Sequence, residues 1–208
     1  MLRLVVLISG SGSNLQAIID ACESNAIDAK VVAVISNNFN AFGLERAKKH
    51  KIPVVVVDNK DYESRNDFDE KLLYEINSFS PGLVVLAGFM RILTPLMTSA
   101  FKGMMINIHP SLLPKYPGMN THQKVLDNKD NEHGVSIHLV SEQLDAGPII
   151  AQAKILVNLN QTIEVLINRI HKAEHVLFPK IIGMIASKVI DIKKPLLNEN
   201  IIYEEYDF

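Results

Sequence analysis

Leu4-Val5-Val6-Leu7-Ile8-Ser9-Gly10-Ser11-Gly12-Ser13-Asn14-Leu15-Gln16-Ala17-Ile18-Ile19 decides the fold class. Its first five residues are uniformly apolar and mostly β-branched, the pattern of a strand buried on both faces of a parallel sheet. A glycine-rich turn follows at once, and Leu15 to Cys22 has helical spacing. Strand, glycine turn and helix open a nucleotide-type α/β unit. Backbone N–H groups at such a turn, and the helix N-terminus behind it, suit an anion. A dinucleotide fingerprint needs a third glycine where Leu15 stands and an acid where the second strand ends in Ser36-Asn37-Asn38. The P-loop lysine is also missing. NAD and ATP are therefore poor candidates. A single phosphomonoester is the better one, beside the plain reading as an ordinary βα turn.

The alternation continues outward. Val31 to Ile35 reads as a second buried strand, Ala41 to His50 as a helix and Pro53 to Val57 as a third strand. Ser64 to Phe79 is an amphipathic helix with Ser64 as its cap. Leu83 to Ala87, closed by Gly88, is a fourth strand. Thr94-Pro95 opens a short helix, with proline in its tolerated first turn, and Met104 to His109 is a fifth strand. This order predicts an α/β fold: a mostly parallel twisted sheet with helices on both faces. Beyond Gly118 the pattern changes. His122 to Asn128 reads as a short helix. His133 to Val140 and Ile149 to Val157 read as strands, joined so closely that they should be antiparallel. Thr162 to Ala186 is one long amphipathic helix, capped by Thr162 and expected to kink at Pro179. Asn198 to Phe208 is polar, acidic and expected to pack poorly.

Composition narrows the classes. With 208 residues, 48% of them hydrophobic and 21% charged, the chain suits a globular domain with a large core. A net charge of −2 gives no bulk field toward nucleic acid or an anionic membrane. One cysteine, Cys22, cannot form an intramolecular disulfide, which fits a reducing compartment. Met1-Leu2-Arg3 runs straight into the first strand, and no apolar run of membrane-spanning length occurs, so the expected location is cytoplasmic.

The chemistry points to Met105-Ile106-Asn107-Ile108-His109-Pro110-Ser111-Leu112-Leu113-Pro114-Lys115-Tyr116-Pro117-Gly118. Alternate strand residues share a face, so Asn107 and His109 point together while Ile106 and Ile108 pack. Three prolines then stiffen the loop. A neutral donor and a titratable imidazole at a strand end form a candidate reaction centre, or a pair that satisfies loop backbone. In Leu144-Asp145-Ala146-Gly147-Pro148, Asp145 is either a turn-capping aspartate or a carboxylate brought beside His109. His171 and His175 share a helix face at i, i+4, yet no His-Glu-x-x-His motif surrounds them, so a solvated face is favoured over a metal site. His50, His122 and His133 read as surface or loop residues, and His138 as a satisfied structural histidine.

Four blocks, Leu7 to Ile18, Ala87 to Leu93, Asn107 to Pro114 and Leu144 to Pro148, together resemble the phosphoribosylglycinamide formyltransferases, folate-dependent enzymes of purine synthesis. The resemblance runs over about residues 2 to 190. It implies Asn107, His109 and Asp145 as catalytic residues. It implies Gly12, Ser13, Asn14, Gly88, Pro110, His171 and Glu174 as contacts of glycinamide ribonucleotide, with the phosphate at the turn and Glu174 on the ribose. Arg65, Met90, Arg91, Ile92, Leu93 and Ser141, Glu142, Gln143, Leu144 and Asp145, with Asn107, would contact 10-formyltetrahydrofolate, the co-substrate. A cis bond before Pro114 is implied as well. His171 departs from the family's residue at its position, Asn120 replaces a histidine, and Ala146 replaces a glycine. No metal is implied. The expected organisation is one formyltransferase domain: a phosphate-binding half (1–103), a catalytic and folate-binding half (104–190) and a tail (191–208).

The implied reaction is direct amine attack on the formyl carbon through a tetrahedral oxyanion. It needs charge stabilisation more than a strong base, because an α-amine titrates near pH ~8. Asn107 and a protonated His109 would donate to the oxyanion, and Asp145 would support His109 and help move the proton. Two related readings compete. A methionyl-tRNA formyltransferase-like domain would be expected to carry an RNA-binding basic patch, which is absent here. A formyltetrahydrofolate hydrolase would be expected to carry an N-terminal regulatory domain. The expected partners are the two small-molecule substrates, with no nucleic acid and no membrane, in a monomer or weak homodimer.

Overall fold

The computed structural model describes residues 1–158, 160–194 and 201–208. Eight strands form one sheet: β1 (Leu2–Ile8), β2 (Ala29–Ser36), β3 (Val54–Val56), β4 (Leu83–Leu86), β5 (Met105–His109), β6 (Glu132–Leu139), β7 (Ile149–Leu156) and β8 (Ile202–Glu205), in the order β3-β2-β1-β4-β5-β6-β7-β8. The first five strands pair in parallel, while β5/β6 and β6/β7 are antiparallel. This matches the mostly parallel sheet with a late antiparallel pair that the βα rhythm predicts.

Strand alternation divides the core into two layers. Leu4, Val6, Ile8, Val85, Ile106 and Ile108 pack beneath α1 (Ser13–Glu23), α2 (Phe42–Lys49), α5 (Thr121–Asp127) and α6 (Ile163–Ala186). Val5, Leu7, Ile35, Val84, Leu86 and Met105 pack beneath α3 (Arg65–Ser78) and α4 (Pro95–Ala100). Both faces are covered, which is why β1, β2 and β4 read as continuous apolar runs rather than alternating ones. The expected caps form: Ser64 Oγ accepts from Asp67 N at 3.2 Å, and Thr162 Oγ1 from Val165 N at 3.4 Å. Pro179 lies inside α6.

The tail departs from expectation. Ile192 is buried at the core, and β8 pairs in parallel with β7 from Ala151↔Ile202 to Lys154↔Glu205. Backbone pairing overrides the acidic composition, because Glu204 and Glu205 meet Lys180 and Lys154. Asn198 to Asn200, part of the stretch expected to pack poorly, lie outside the described residues. Among the described residues no helix is long and apolar enough to cross a membrane.

Candidate active site

The carboxyl ends of β1, β4 and β5 lie side by side, because Leu7 pairs with Leu86 and Leu86 with Asn107. Whatever follows these strands must open on one sheet edge.

After β1, Gly12 takes φ +68, and a Cβ there would lie 2.6 Å from Gly43 Cα. Only glycine lets the turn approach α2 this closely. Gly43 N–H also donates to Gly10 O at 3.0 Å, and Arg46 Nε to Ser11 O at 2.9 Å. Helix α1 begins at Ser13, so the N–H groups of its first turn have no intrahelical acceptor. Asn14 is buried and donates through Nδ2 to Glu174 Oε2 at 2.9 Å, while its own Oδ1 is buried without a partner among the described residues. Burial pushes the Glu174 carboxyl up to about 7, against the opposing effect of the Asn14 bond. His171 is exposed and stacks on His175, ring centroids 6.2 Å apart. Burial lowers the pKa of both, and in His175 the neighbouring His171 and Arg46 add to it.

After β4, Gly88 (φ +76) turns the chain into Phe89–Leu93. Ser9 ties this segment to the glycine turn: its N–H donates to Gly88 O at 3.1 Å, and its Oγ accepts from Met90 N at 2.8 Å. Met90 and Ile92 are exposed apolar residues, whereas Leu93 is buried. The Arg91 guanidinium lies 4.3 Å from the Phe68 ring centroid, and its Nε is buried without a partner among the described residues. Arg65 is exposed at the start of α3, and Glu142, Gln143 and Leu144 are exposed beside half-buried Ser141 on the β6–β7 connection.

At the end of β5, His109 meets Asp145, the juxtaposition that spacing alone left open, and Asn107 joins them through His138, whose Nε2 lies 3.7 Å from Asp145 Oδ1. His109 Nδ1 is 3.4 Å from Asp145 Oδ2, with both side chains under 10% exposed (8% and 7%). Asp145 adopts φ +50 and accepts from Gly118 N at 2.8 Å. His109 Nε2 lies 2.9 Å from Tyr116 O, and a carbonyl only accepts, so Nε2 carries hydrogen there. Pro110, half-buried, opens the loop, which contains a cis Leu113–Pro114 bond as the resemblance implies.

His138 completes the group. Its Nδ1 donates to Leu139 O at 2.9 Å, so its Nε2 can accept from Asn107 Nδ2 at 3.1 Å. Burial keeps His138 neutral at lower pH than usual, partly opposed by the Leu139 carbonyl and Asp145. That leaves one Asn107 amide hydrogen without a partner among the described residues. Sequence reasoning placed His138 correctly as a satisfied histidine but missed its hold on Asn107. The register His138↔Asn107 is the signal, and it exists only in the paired sheet.

His122 and His133 are not surface or loop residues. His133 is 1% exposed, and its Nε2 lies 2.9 Å from His122 Nδ1. Burial lowers their pKa values to about 4 for His122 and about 3 for His133. Among the described residues no group of three or more His, Cys, Asp or Glu side chains could hold a metal ion.

Residues 2–182 match the family model described as formyl transferase. The chain is 49% identical over 185 residues to the phosphoribosylglycinamide formyltransferase of Escherichia coli (strain K12), covering 89% of this chain and 87% of that protein. It is 49% identical over 187 residues to the trifunctional purine biosynthetic protein adenosine-3 of Chironomus tentans, covering 89% of this chain but only 14% of that longer protein. The solved structure of the Coxiella burnetii phosphoribosylglycinamide formyltransferase in complex with CHES superposes with a TM-score of 0.91 at 42% identity, covering 98% of this chain and 99% of that one.

Proposed function

The chain belongs to the formyl transferase family, and on that basis we propose that it carries a formyl group from 10-formyltetrahydrofolate to the amine of glycinamide ribonucleotide, in purine biosynthesis. The observation that carries the residue roles is the pairing of His109 with Asp145, with Asn107 joined through His138, on the sheet edge where the glycine turn and the Met90–Leu93 segment also open.

The residues fit both substrates. The unpaired first-turn N–H groups of α1, with Gly12, Ser13 and Asn14, take the phosphate, and the orphaned Asn14 Oδ1 gains a hydroxyl partner. Glu174 accepts from the ribose. Gly88 and Pro110 flank the glycinamide arm, and His171 stands at the outer rim. Exposed Met90, Ile92 and Leu144 offer apolar surface to a flat folate ring. Leu93 backs this wall, the loop Ser141–Asp145 closes over it, and the orphaned Arg91 Nε gains an acceptor. Arg65 meets the carboxylates of the folate tail.

The amine nitrogen attacks the formyl carbon, the carbonyl oxygen becomes an oxyanion, and the carbon–nitrogen bond to the folate breaks. The proton lost by the amine goes to the departing folate nitrogen. The free amide hydrogen of Asn107 points to the oxyanion, and His109 donates from Nδ1, the only ring nitrogen not committed to Tyr116. Asp145, 3.4 Å away, stabilises the charge on that ring and passes the proton through water. One such donor is typically worth about 100- to 1000-fold in rate. We place the reaction in the cytoplasm, in a monomer or weak homodimer.

Absorbance at the folate band, with 10-formyltetrahydrofolate and with or without glycinamide ribonucleotide, tests this. Folate product is expected only with the nucleotide. Product without it would indicate a hydrolase, and no product in either case would defeat the proposal.

A further inference from the structure

The His109 ring is gripped from behind, outside the reacting centre. The Tyr116 carbonyl that takes His109 Nε2 at 2.9 Å also accepts Ser111 Oγ at 3.2 Å. Tyr116 itself sits at φ +57, in the left-handed region that bulky residues rarely adopt. Something must hold it there, and side chains do. Its phenol donates to Asp130 Oδ2 at 2.7 Å, while Lys115 Nζ reaches Asp130 Oδ1 at 2.7 Å. One carboxylate thus grips two successive residues of the loop that carries the carbonyl. Asp130 is anchored in turn, since its N–H donates to Val125 O in α5 at 3.0 Å. Burial, then the Asp130 bond, raises the phenol above its ordinary pKa, so it remains a donor at working pH. Asp130 is faced by Lys115 and Tyr116 from the loop, with His133 of β6 nearby.

We propose that Asp130 is a positioning residue for His109: through Lys115 and Tyr116 it holds the Tyr116 carbonyl on Nε2 and thereby keeps Nδ1 turned to Asp145. Without the clamp, Tyr116 relaxes toward ordinary φ, the carbonyl withdraws and the ring can rotate or exchange its protonated nitrogen. The role of the ring in turnover rests on the formyl-transfer reading. Its tautomer does not.

The test uses the full chain as Asp130→Ala, Asp130→Asn and Tyr116→Phe, with three readouts: imidazole ¹⁵N spectra, steady-state rates for both substrates, and thermal midpoint. Wild type should show a hydrogen fixed on His109 Nε2. In Asp130→Ala and Tyr116→Phe that signal should broaden toward exchange between the two nitrogens. Their kcat should fall about 10- to 100-fold, as expected when a reacting group is misplaced, with both KM values within twofold. Asp130→Asn keeps an oxygen for the phenol and should recover most of the rate. Unchanged imidazole spectra and kcat in Asp130→Ala would overturn the proposal. So would a rate loss accounted for by unfolded protein, or an Asp130→Asn variant no better than Asp130→Ala. A wild-type chain inactive toward glycinamide ribonucleotide would defeat the functional reading instead, while the spectra would still decide whether the clamp exists.

Discussion

Replacing Glu174 by Gln should move stability and activity in opposite directions. Glu174 is 5% exposed, and burial raises its carboxyl from 4.5 to about 7 despite the Asn14 bond. A raised carboxyl means that the fold prefers the neutral form. The favourable contribution is fully present below pH 4.5 and is lost as pH rises through 7. At about 1.4 kcal/mol per pH unit, the interval from 4.5 to about 7 amounts to about 3 kcal/mol of destabilisation at pH 8 relative to pH 4. Gln keeps an oxygen for the Asn14 amide and has no charge to desolvate. Glu174→Gln should therefore exceed wild type by about 3 kcal/mol at pH 8 and by far less at pH 5, measured by urea unfolding followed by circular dichroism. Binding runs the other way, because a carboxylate accepts a ribose hydroxyl more strongly than an amide does. With half-ionisation near 7, the charged fraction rises from about 0.1 at pH 6 to about 0.9 at pH 8. The ratio of wild-type to variant kcat/KM for glycinamide ribonucleotide should climb about ninefold over that range, and the substrate's own ionisations cancel in the ratio. A stability difference that is the same at pH 5 and 8 would refute the perturbed carboxyl, and a pH-independent ratio would refute the ribose contact.

Asp145→Asn should lower kcat by about 100- to 1000-fold while leaving nucleotide affinity, read by titration calorimetry, within twofold; near-normal turnover would remove Asp145 from the chemistry. His122 and His133 are depressed to about 4 and about 3, so the stability of their neutral pair is intact above pH 6.5 and is lost as pH falls toward those values. Their ring-proton NMR shifts should stay flat down to about pH 5, and a midpoint near 6.5 for either would contradict the buried pair. Gly43→Ala puts a Cβ 2.5 Å from Ile8 Cδ1 and 3.1 Å from Gly12 Cα, whereas a Cβ at Gly10 meets nothing within 4 Å. The first variant should lose about 1–3 kcal/mol and weaken nucleotide binding. Gly10→Ala should keep the wild-type thermal midpoint, and equal midpoints for the two would discount the close approach.

What was legible in the chain was what local physics decides. The runs at β1, β2 and β4 are apolar because both faces are covered, and the caps at Ser64 and Thr162 need only three residues of context. The missed features are long-range. His133 looks like a polar residue at a strand's start, and only the packing of α5 brings His122 over it. Strand β8 contains two glutamates, a poor strand composition, and joins the sheet because β7 offers an open edge and lysines answer the charge. The Tyr116 carbonyl has no side-chain signature at all.

Asp145 shows why the proposed catalytic set can be half written in local pattern. Strand β5 is where the sheet changes sense, with β4 parallel on one side and β6 antiparallel on the other, so Asn107 lies between Leu86 and His138. After β6 the chain leaves the sheet beside Met105, where Val140 N–H donates to Met105 O at 3.0 Å. It must climb back along β5 to reach His109. Two local features let it turn: Asp145 in the left-handed region, and Gly147, where any Cβ would lie 1.8 Å from Leu139 O. Those features are visible in Asp-Ala-Gly-Pro as a turn. The direction of the turn is set by β6, whose antiparallel run returns the chain to the base of β5, and by the Gly118 N–H that donates to the carboxylate at 2.8 Å. The bland reading of Asp145 as a turn residue and the proposed catalytic one are therefore compatible, since the backbone geometry that makes the turn also delivers the carboxylate to the imidazole.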